Sequence, residues 1–244
     1  MSGLVFNGHR FDDLFTYGNP EITILSSEVS YANSGNRNGS VVLGHTWGNS
    51  VVSFAIVVEG PANERRNKLS TLGYWLNVDE PKKLYLPDTP DRYYMAIPSG
   101  ELELTRYVDS ETAGVTFTLV DPVAYGETRS VTIPGSSSSS VTVYVNGTYK
   151  ASPVISDSGA IGGSSNIWGL RLDNADFVHM QFTGNWAHEI EIDNENRSVS
   201  IDNDTGVLTL DSDWFELEPG VHTIERDIGS SNGVTTITWQ ERWL

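Results

Sequence analysis

A period of two is the feature that most constrains this chain. In VTFTLV, Val115, Phe117 and Leu119 fall at alternate positions; Val141, Val143 and Val145 do so in VTVYV, and Ile237 and Trp239 in TTITW. Side chains two apart on a strand share a face, so each run offers one apolar face to a core. Turn-forming clusters separate the runs: SGNRNG at 34–39, DNDTG at 202–206, EPG at 218–220 and SSNG at 230–233. Many short alternating strands at this density predict a β-sandwich or barrel. One stretch breaks the pattern. Between Pro61 and Pro81, Leu69, Leu72 and Leu76 follow a 3/4 spacing. That predicts a single helix near 61–76, with Trp75 flanking its apolar stripe and packing against a sheet.

The alternation is most heavily interrupted at 121–140, DPVAYGETRSVTIPGSSSSS. Strand-like VTI and VTVYV flank the serine run, which reads as a hairpin tip or loop rather than a long linker. The fold class expected is therefore mainly β in two domains. Residues 1–128 form an α+β domain, a sheet or split barrel with one helix, and residues 129–244 form an all-β domain.

The net charge of −17 excludes a nucleic-acid or anionic-membrane binder. The absence of cysteine excludes a disulfide scaffold, a cysteine zinc site and a thiol nucleophile. No stretch approaches the roughly 20 apolar residues of a membrane span. The start, MSGLVFNGHRFDD, lacks the basic and apolar regions of a signal peptide. N-x-S/T sequons at Asn38, Asn146, Asn196 and Asn203 then read as turn chemistry.

Chemical motifs are sparse. HEIEIDNENRS at 188–198 places Glu189, Glu191, Asp193 and Glu195 on one side of a strand. Glu191-Ile192-Asp193-Asn194-Glu195 resembles the E-x-D-x-E outline of the retaining β-glucanases of glycoside hydrolase family 16. That resemblance would make Glu191 the nucleophile, Glu195 the acid/base and Asp193 the residue setting their charge states. Against it, Asn194 occupies a position where the pattern wants an apolar residue, and NENR is a turn signature. Residues four apart on a straight strand also lie about 13 Å apart, whereas a retaining pair needs carboxyl groups about 5 Å apart. The plainer reading is the wet face of a hairpin arm. DNDTG begins like a calcium loop, but the apolar residues that follow do not continue it. His9, His45, His179, His188 and His222 show no metal-ligand spacing, although His179 and His188 could meet in space. There is no G-x-S-x-G elbow and no phosphate loop, so no cofactor or metal is expected. Trp168, Trp186 and Trp214 could stack on sugar rings in a carbohydrate-binding sandwich, but large aromatics more often fill a core or an interface.

The order of segments carries a broader resemblance. FNGHRFDDL (6–14) precedes LGHTWGNS (43–50), then the helix ending in Trp75-Leu76. Next come Asp88, Pro90, Asp91, Tyr93 and Tyr94 in KKLYLPDTPDRYYMA, and Phe117, Asp121, Pro122 and Gly126 in VTFTLVDPVAYGE. VYVNGTYKASPVI (143–155) and LEPGVHTI (217–224) follow. This series resembles the distal tail proteins of long-tailed siphophages, the Dit family, across nearly the whole chain. The resemblance implies an N-terminal ring-forming domain and a C-terminal galectin-like β-sandwich. It also implies a non-enzymatic homohexameric hub at the distal end of the tail tube, linking tube to baseplate. Implied partners are the tail tube protein, a tail-associated baseplate protein, the tape measure protein and a receptor-binding protein. The implied location is the virion tail tip, after synthesis in the host cytoplasm. A carbohydrate-binding sandwich for host attachment is the alternative reading, and a family-16-like hydrolase the third.

Overall fold

The computed structural model describes residues 3–23, 27–33, 35, 38–135, 139–163, 166–184 and 186–244. They are mainly β and divide into two compact units, Met1–Tyr125 with Leu244, and Gly126–Trp243.

In the first unit, β1 (Val5–Phe6) and β2 (His9–Arg10) turn around Asn7 and Gly8, at φ 50° and 81°. Asn-Gly accepts two successive left-handed positions at little cost, and that turn matches the twist of paired strands. A short 3-10 turn (Phe11–Asp13) leads to β3 (Thr16–Tyr17) and β4 (Glu21–Thr23). A hairpin of β5 (Ser27–Asn33) and β6 (Ser40–Trp47) precedes the long β7 (Ser50–Glu59). Helix α1 (Ala62–Leu76) is followed by β8 (Lys82–Leu86), β9 (Thr89–Ser99), β10 (Leu104–Arg106) and β11 (Ser110–Leu119). The sheet runs β1–β8–β9–β11–β7, with β3 and β4 both on β7 and β10 beside β11. β7 and β11 pair along their whole lengths, from Ser110 opposite Glu59 to Leu119 opposite Ser50. Alternate residues of this ladder, including Val52, Phe54, Ile56, Val115, Phe117 and Leu119, fill one core.

Leu72 and Trp75 of α1 are buried in that core, with Leu69 and Leu76 partly buried beside them. Trp75 meets the sheet as expected, at β2 and the turn that follows it. Its ring stacks on His9 at 4.9 Å and 6°, and meets Phe11 and Phe15 edge-on at 5.8 and 5.9 Å. The helix end thus pins the segment that follows the Asn7-Gly8 turn.

The second unit is an antiparallel sandwich. Its strands are β12 (Ala124–Pro134, entering from the first unit), β13 (Ser140–Val145), β14 (Val154–Ile161), β15 (Ile167–Leu172), β16 (Asp176–Gln181) and β17 (His188–Asp193). β18 (Ser198–Ile201), β19 (Asp204–Thr205), β20 (Gly220–Ile228), β21 (Ser230–Ser231) and β22 (Val234–Trp243) complete it. One sheet runs β19–β18–β17–β14–β22–β12 and the other β13–β20–β15–β16. Ile155, Ile190, Ile192 and Ile237 of the first sheet and Trp168, Leu170, Met180 and Ile224 of the second share one core. The last strand, β22, lies between β14 and β12. The strands flanking the serine run belong to different sheets. β12 and β13 therefore do not pair as a hairpin, and residues 136–138 of the run lie outside the described residues.

Candidate functional site

β17 carries the carboxylate stretch. Ile190 and Ile192 are buried, and Glu189 and Glu191 are exposed on the opposite side. The strand ends at Asp193, where an Asx turn begins. Its Oδ1 accepts the backbone N–H groups of Glu195 and Asn196 at 2.9 and 3.0 Å, and Oδ2 accepts the Asn196 amide at 2.7 Å. Burial acts to raise the Asp193 pKa, but the Asn196 and Glu195 donors outweigh it and hold the carboxyl below its ordinary value. Asn194 turns inward, which explains a polar residue on the apolar side. Its amide donates to the Pro153 carbonyl and its oxygen accepts the Phe215 N–H, each at 2.7 Å. Glu195 pairs with Arg242 at 2.6 Å. Glu191 instead lines a shallow polar hollow with Ser156, Asp157, Ser200 and Thr236. The two glutamates serve different neighbours, and Asp193 shapes a turn rather than their charge states, so a retaining pair is not formed here.

The three tryptophans separate. Trp168 is 0% exposed in the sandwich core and cannot stack on a sugar at the surface. Trp214 is half-buried against the same core. Trp186 is 60% exposed, with its ring 5.3 Å from His188. It alone of the three offers a free aromatic face.

The segments that carried the family resemblance have structural work to do. Pro87 and Asp88 turn β8 into β9, where Leu86 pairs with Thr89; Pro90 follows in β9, and Asp91 pairs with Arg92 at 3.2 Å. The Tyr93 ring lies between Tyr85 and Tyr125, each at 5.6 Å, with the Lys83 ammonium 4.2 Å above it. Tyr94 packs against the first core, and burial, the largest influence, raises its phenol pKa. Phe117 packs against Phe6 with the rings tilted, their centroids 4.6 Å apart. Asp121, just before Pro122, accepts the Tyr125 hydroxyl and, at 3.4 Å, the Val123 N–H. At Gly126 a Cβ would come within 2.2 Å of the Trp243 ring, which leaves room for glycine alone.

The histidines do not converge. His179 sits between Asp211 at 3.1 Å and Asp227 at 2.9 Å, whereas His188 meets Asp202 at 2.7 Å. Asp202 and Asn203 take φ of 52° and 67°, so DNDTG is a tight turn between β18 and β19. Among the described residues no three His, Asp or Glu side chains are grouped to hold a metal ion. No helix among them is long and apolar enough to cross a membrane.

Two features escaped the sequence. Asp157 and Arg226, both with fully buried side chains, face each other across the sandwich at 3.7 Å. Asp157 also accepts Ser231 and Thr235 hydroxyls, each at 2.5 Å. Apolar neighbours gave no sign of a buried ion pair. The second is the β5–β6 hairpin, a separate two-stranded sheet with Tyr31, Val42 and Leu43 all more than 60% exposed. Alternation around SGNRNG was its available signal.

Comparison with known proteins follows the two units. Residues 9–119 match a phage tail protein RIFT-related domain, and residues 146–243 match the C-terminal domain of a siphovirus-type tail component. The crystal structure of phage SPP1 Dit (gp 19.1), described as a paradigm of the hub adsorption apparatus in phages infecting Gram-positive bacteria, is similar in fold. It has a TM-score of 0.79 at 18% identity over 99% of each chain. A chain of the phage P2 baseplate in its calcium-activated conformation matches at a TM-score of 0.42 and 9% identity, over 92% of this chain and 91% of that one. No curated protein sequence matches the chain. With one tail domain at each end and a two-unit β fold like that of SPP1 Dit, this chain belongs to the siphophage distal tail protein family, a structural component of the phage tail.

Proposed function

We propose that the protein is a homohexameric hub at the distal end of the tail tube, joining the tube to the baseplate or adsorption apparatus. The observation that carries this reading is the pairing of two tail domains, in order, on a fold that overlays a hub protein over 99% of both chains. The N-terminal unit would form the ring and the C-terminal sandwich, galectin-like in this reading, would project to other components. Expected neighbours are the tube protein on one side, a tail-associated baseplate protein on the other, the tape measure protein within, and a receptor-binding protein outside. The charge of −17 suits a ring through which DNA passes, because carboxylates repel phosphates and leave the strand unheld. The dispersal of Glu191, Asp193 and Glu195 among separate partners supports a non-enzymatic role. Electron microscopy of the protein mixed with its phage's tube protein tests this. Sixfold density capping one tube end is expected, and tubes with both ends bare would refute it.

A further inference from the structure

Asparagine followed by glycine occurs four times, at Asn7-Gly8, Asn38-Gly39, Asn146-Gly147 and Asn232-Gly233. The pair carries a chemistry of its own, and asparagine is among the thermolabile residues. The glycine backbone nitrogen gives up its proton and attacks the asparagine Cγ. A C–N bond closes a five-membered imide, the Cγ–Nδ2 bond breaks, and ammonia leaves. One water then opens the ring at either carbonyl, giving aspartate or its β-linked isomer, isoaspartate. Glycine has no Cβ to hinder the closure. The step needs no enzyme and no oxidant. It needs a nitrogen able to come within about 3–3.5 Å of the Cγ. In sequence the four pairs are alike, and the fold separates them.

Three pairs are held. The Gly233 N–H donates to Ser231 Oγ at 3.0 Å, and that hydroxyl donates in turn to buried Asp157. The Asn232 N–H is bound to the Gly159 carbonyl at 2.8 Å. Gly147 is wedged against the Arg242 backbone. A Cβ on it would lie 2.1 Å from the Arg242 carbonyl oxygen, which also accepts the Thr148 and Tyr149 N–H groups. Asn7-Gly8 is exposed, but its turn is closed on both sides. Phe6 pairs with His9, the Asn7 N–H donates to the Lys83 carbonyl at 3.0 Å, and the two residues sit at φ 50° and 81°. Ring closure would have to swing the Asn7 peptide out of that two-residue turn.

Asn38-Gly39 is held by none of these devices. Both residues are exposed and lie between β5 and β6, beyond the pairing of Asn33 with Ser40. A Cβ on Gly39 would meet nothing within 4 Å. Among the described residues no hydrogen bond ties the Asn38 amide or the Gly39 N–H. We infer that Asn38 is a deamidation site, converted by water as the protein ages, and that the contacts of the other three pairs spare them. Conversion adds one negative charge to the net −17. In the isoaspartate product it also adds one main-chain atom to the β5–β6 connection. This irreversible change falls in the same hairpin as Val42 and Leu43, which are 64 and 68% exposed.

The test is ageing of the full-length protein in warm, mildly alkaline buffer, with conversion at each asparagine read by peptide mapping and mass spectrometry. In the folded chain Asn38 should convert about tenfold faster, or more, than Asn7, Asn146 or Asn232. The same chain aged in guanidinium should convert all four at similar rates, because unfolding releases the three held pairs. Isoelectric focusing should show an acidic band growing with age in the wild type and missing from Asn38→Gln. Ser231→Ala, which removes the acceptor of the Gly233 N–H, should raise conversion at Asn232 and leave Asn38 unchanged. Thermal unfolding checks that this variant is folded; if it is not, the guanidinium comparison carries the same point. Folded protein in which another of the four pairs converts as fast as Asn38 overturns the inference. So does a preference for Asn38 that persists in guanidinium, since local sequence rather than the fold would then set it.

Discussion

Strands β17 and β5 both alternate apolar and polar side chains, yet β17 and the β5–β6 hairpin meet opposite fates. Ile190 and Ile192 are 2% and 0% exposed because a second sheet lies across from β17. Tyr31 and Val42 stay 63% and 64% exposed because the hairpin's apolar side has no sheet across from it among the described residues. Alternation announces a face that must be covered, and topology decides whether the cover comes from the same chain. In the C-terminal sandwich it does. In the N-terminal unit the hairpin is left uncovered among the described residues, and an exposed apolar face of this kind is a usual mark of an interaction surface.

The contrast breaks most readily where cover is complete. Trp168→Ala should lower the stability of the sandwich by about 3–5 kcal/mol, whereas the exposed Trp186→Ala should change it by less than about 0.5 kcal/mol. Urea unfolding of the full chain, followed by the transition of the C-terminal unit, measures both; equal losses would contradict the assigned burial. Asp157→Ala should cost a similar 3–5 kcal/mol or so, since it strands the Arg226 guanidinium inside the sandwich. A smaller loss, about 1–3 kcal/mol, is expected for Gly126→Ala from overpacking against the Trp243 ring.

The mildest effect is a pH dependence. At His222, burial acts to lower the pKa, but hydrogen bonds to Asp173 and the Glu218 carbonyl outweigh it and raise it above 6.5. Its contribution to stability is present below about 6.5 and fades as pH rises through the raised value. At Asp173, burial acts to raise the pKa, but the Thr223 N–H and His222 outweigh it and lower it below 3.8. Its contribution is present above about 3.8 and fades as pH falls through the lowered value. Thermal midpoints against pH should therefore decline on the alkaline side of His222, and His222→Gln should flatten that limb. An unchanged limb would show that the contact is not held in solution.

Much of the fold was legible because local chemistry and tertiary structure agree. Val115, Phe117 and Leu119 alternate and are buried; Asn7-Gly8 and Asp202-Asn203 sit in turns that need left-handed residues. What was hidden required knowledge of which face meets which. Trp168 and Trp186 are alike in sequence, and only the position of β15 inside the second sheet separates core from surface. Arg226 occupies an inward position two residues after Ile224, where the pattern gives no warning that a charge across the sandwich will receive it. The E-x-D-x-E outline misled for the same reason. Spacing put the carboxylates on one side of a strand, but the turn at Asp193 and the reach of Glu195 to Arg242 sent them to separate partners.

The most direct test of the central claim is the mass of the particle formed by the wild-type chain on its tube protein, read by native mass spectrometry after mild release. The account expects six copies, six times the 26.8 kDa chain mass. A particle of one or two copies, or no association with the tube at any concentration, would contradict it.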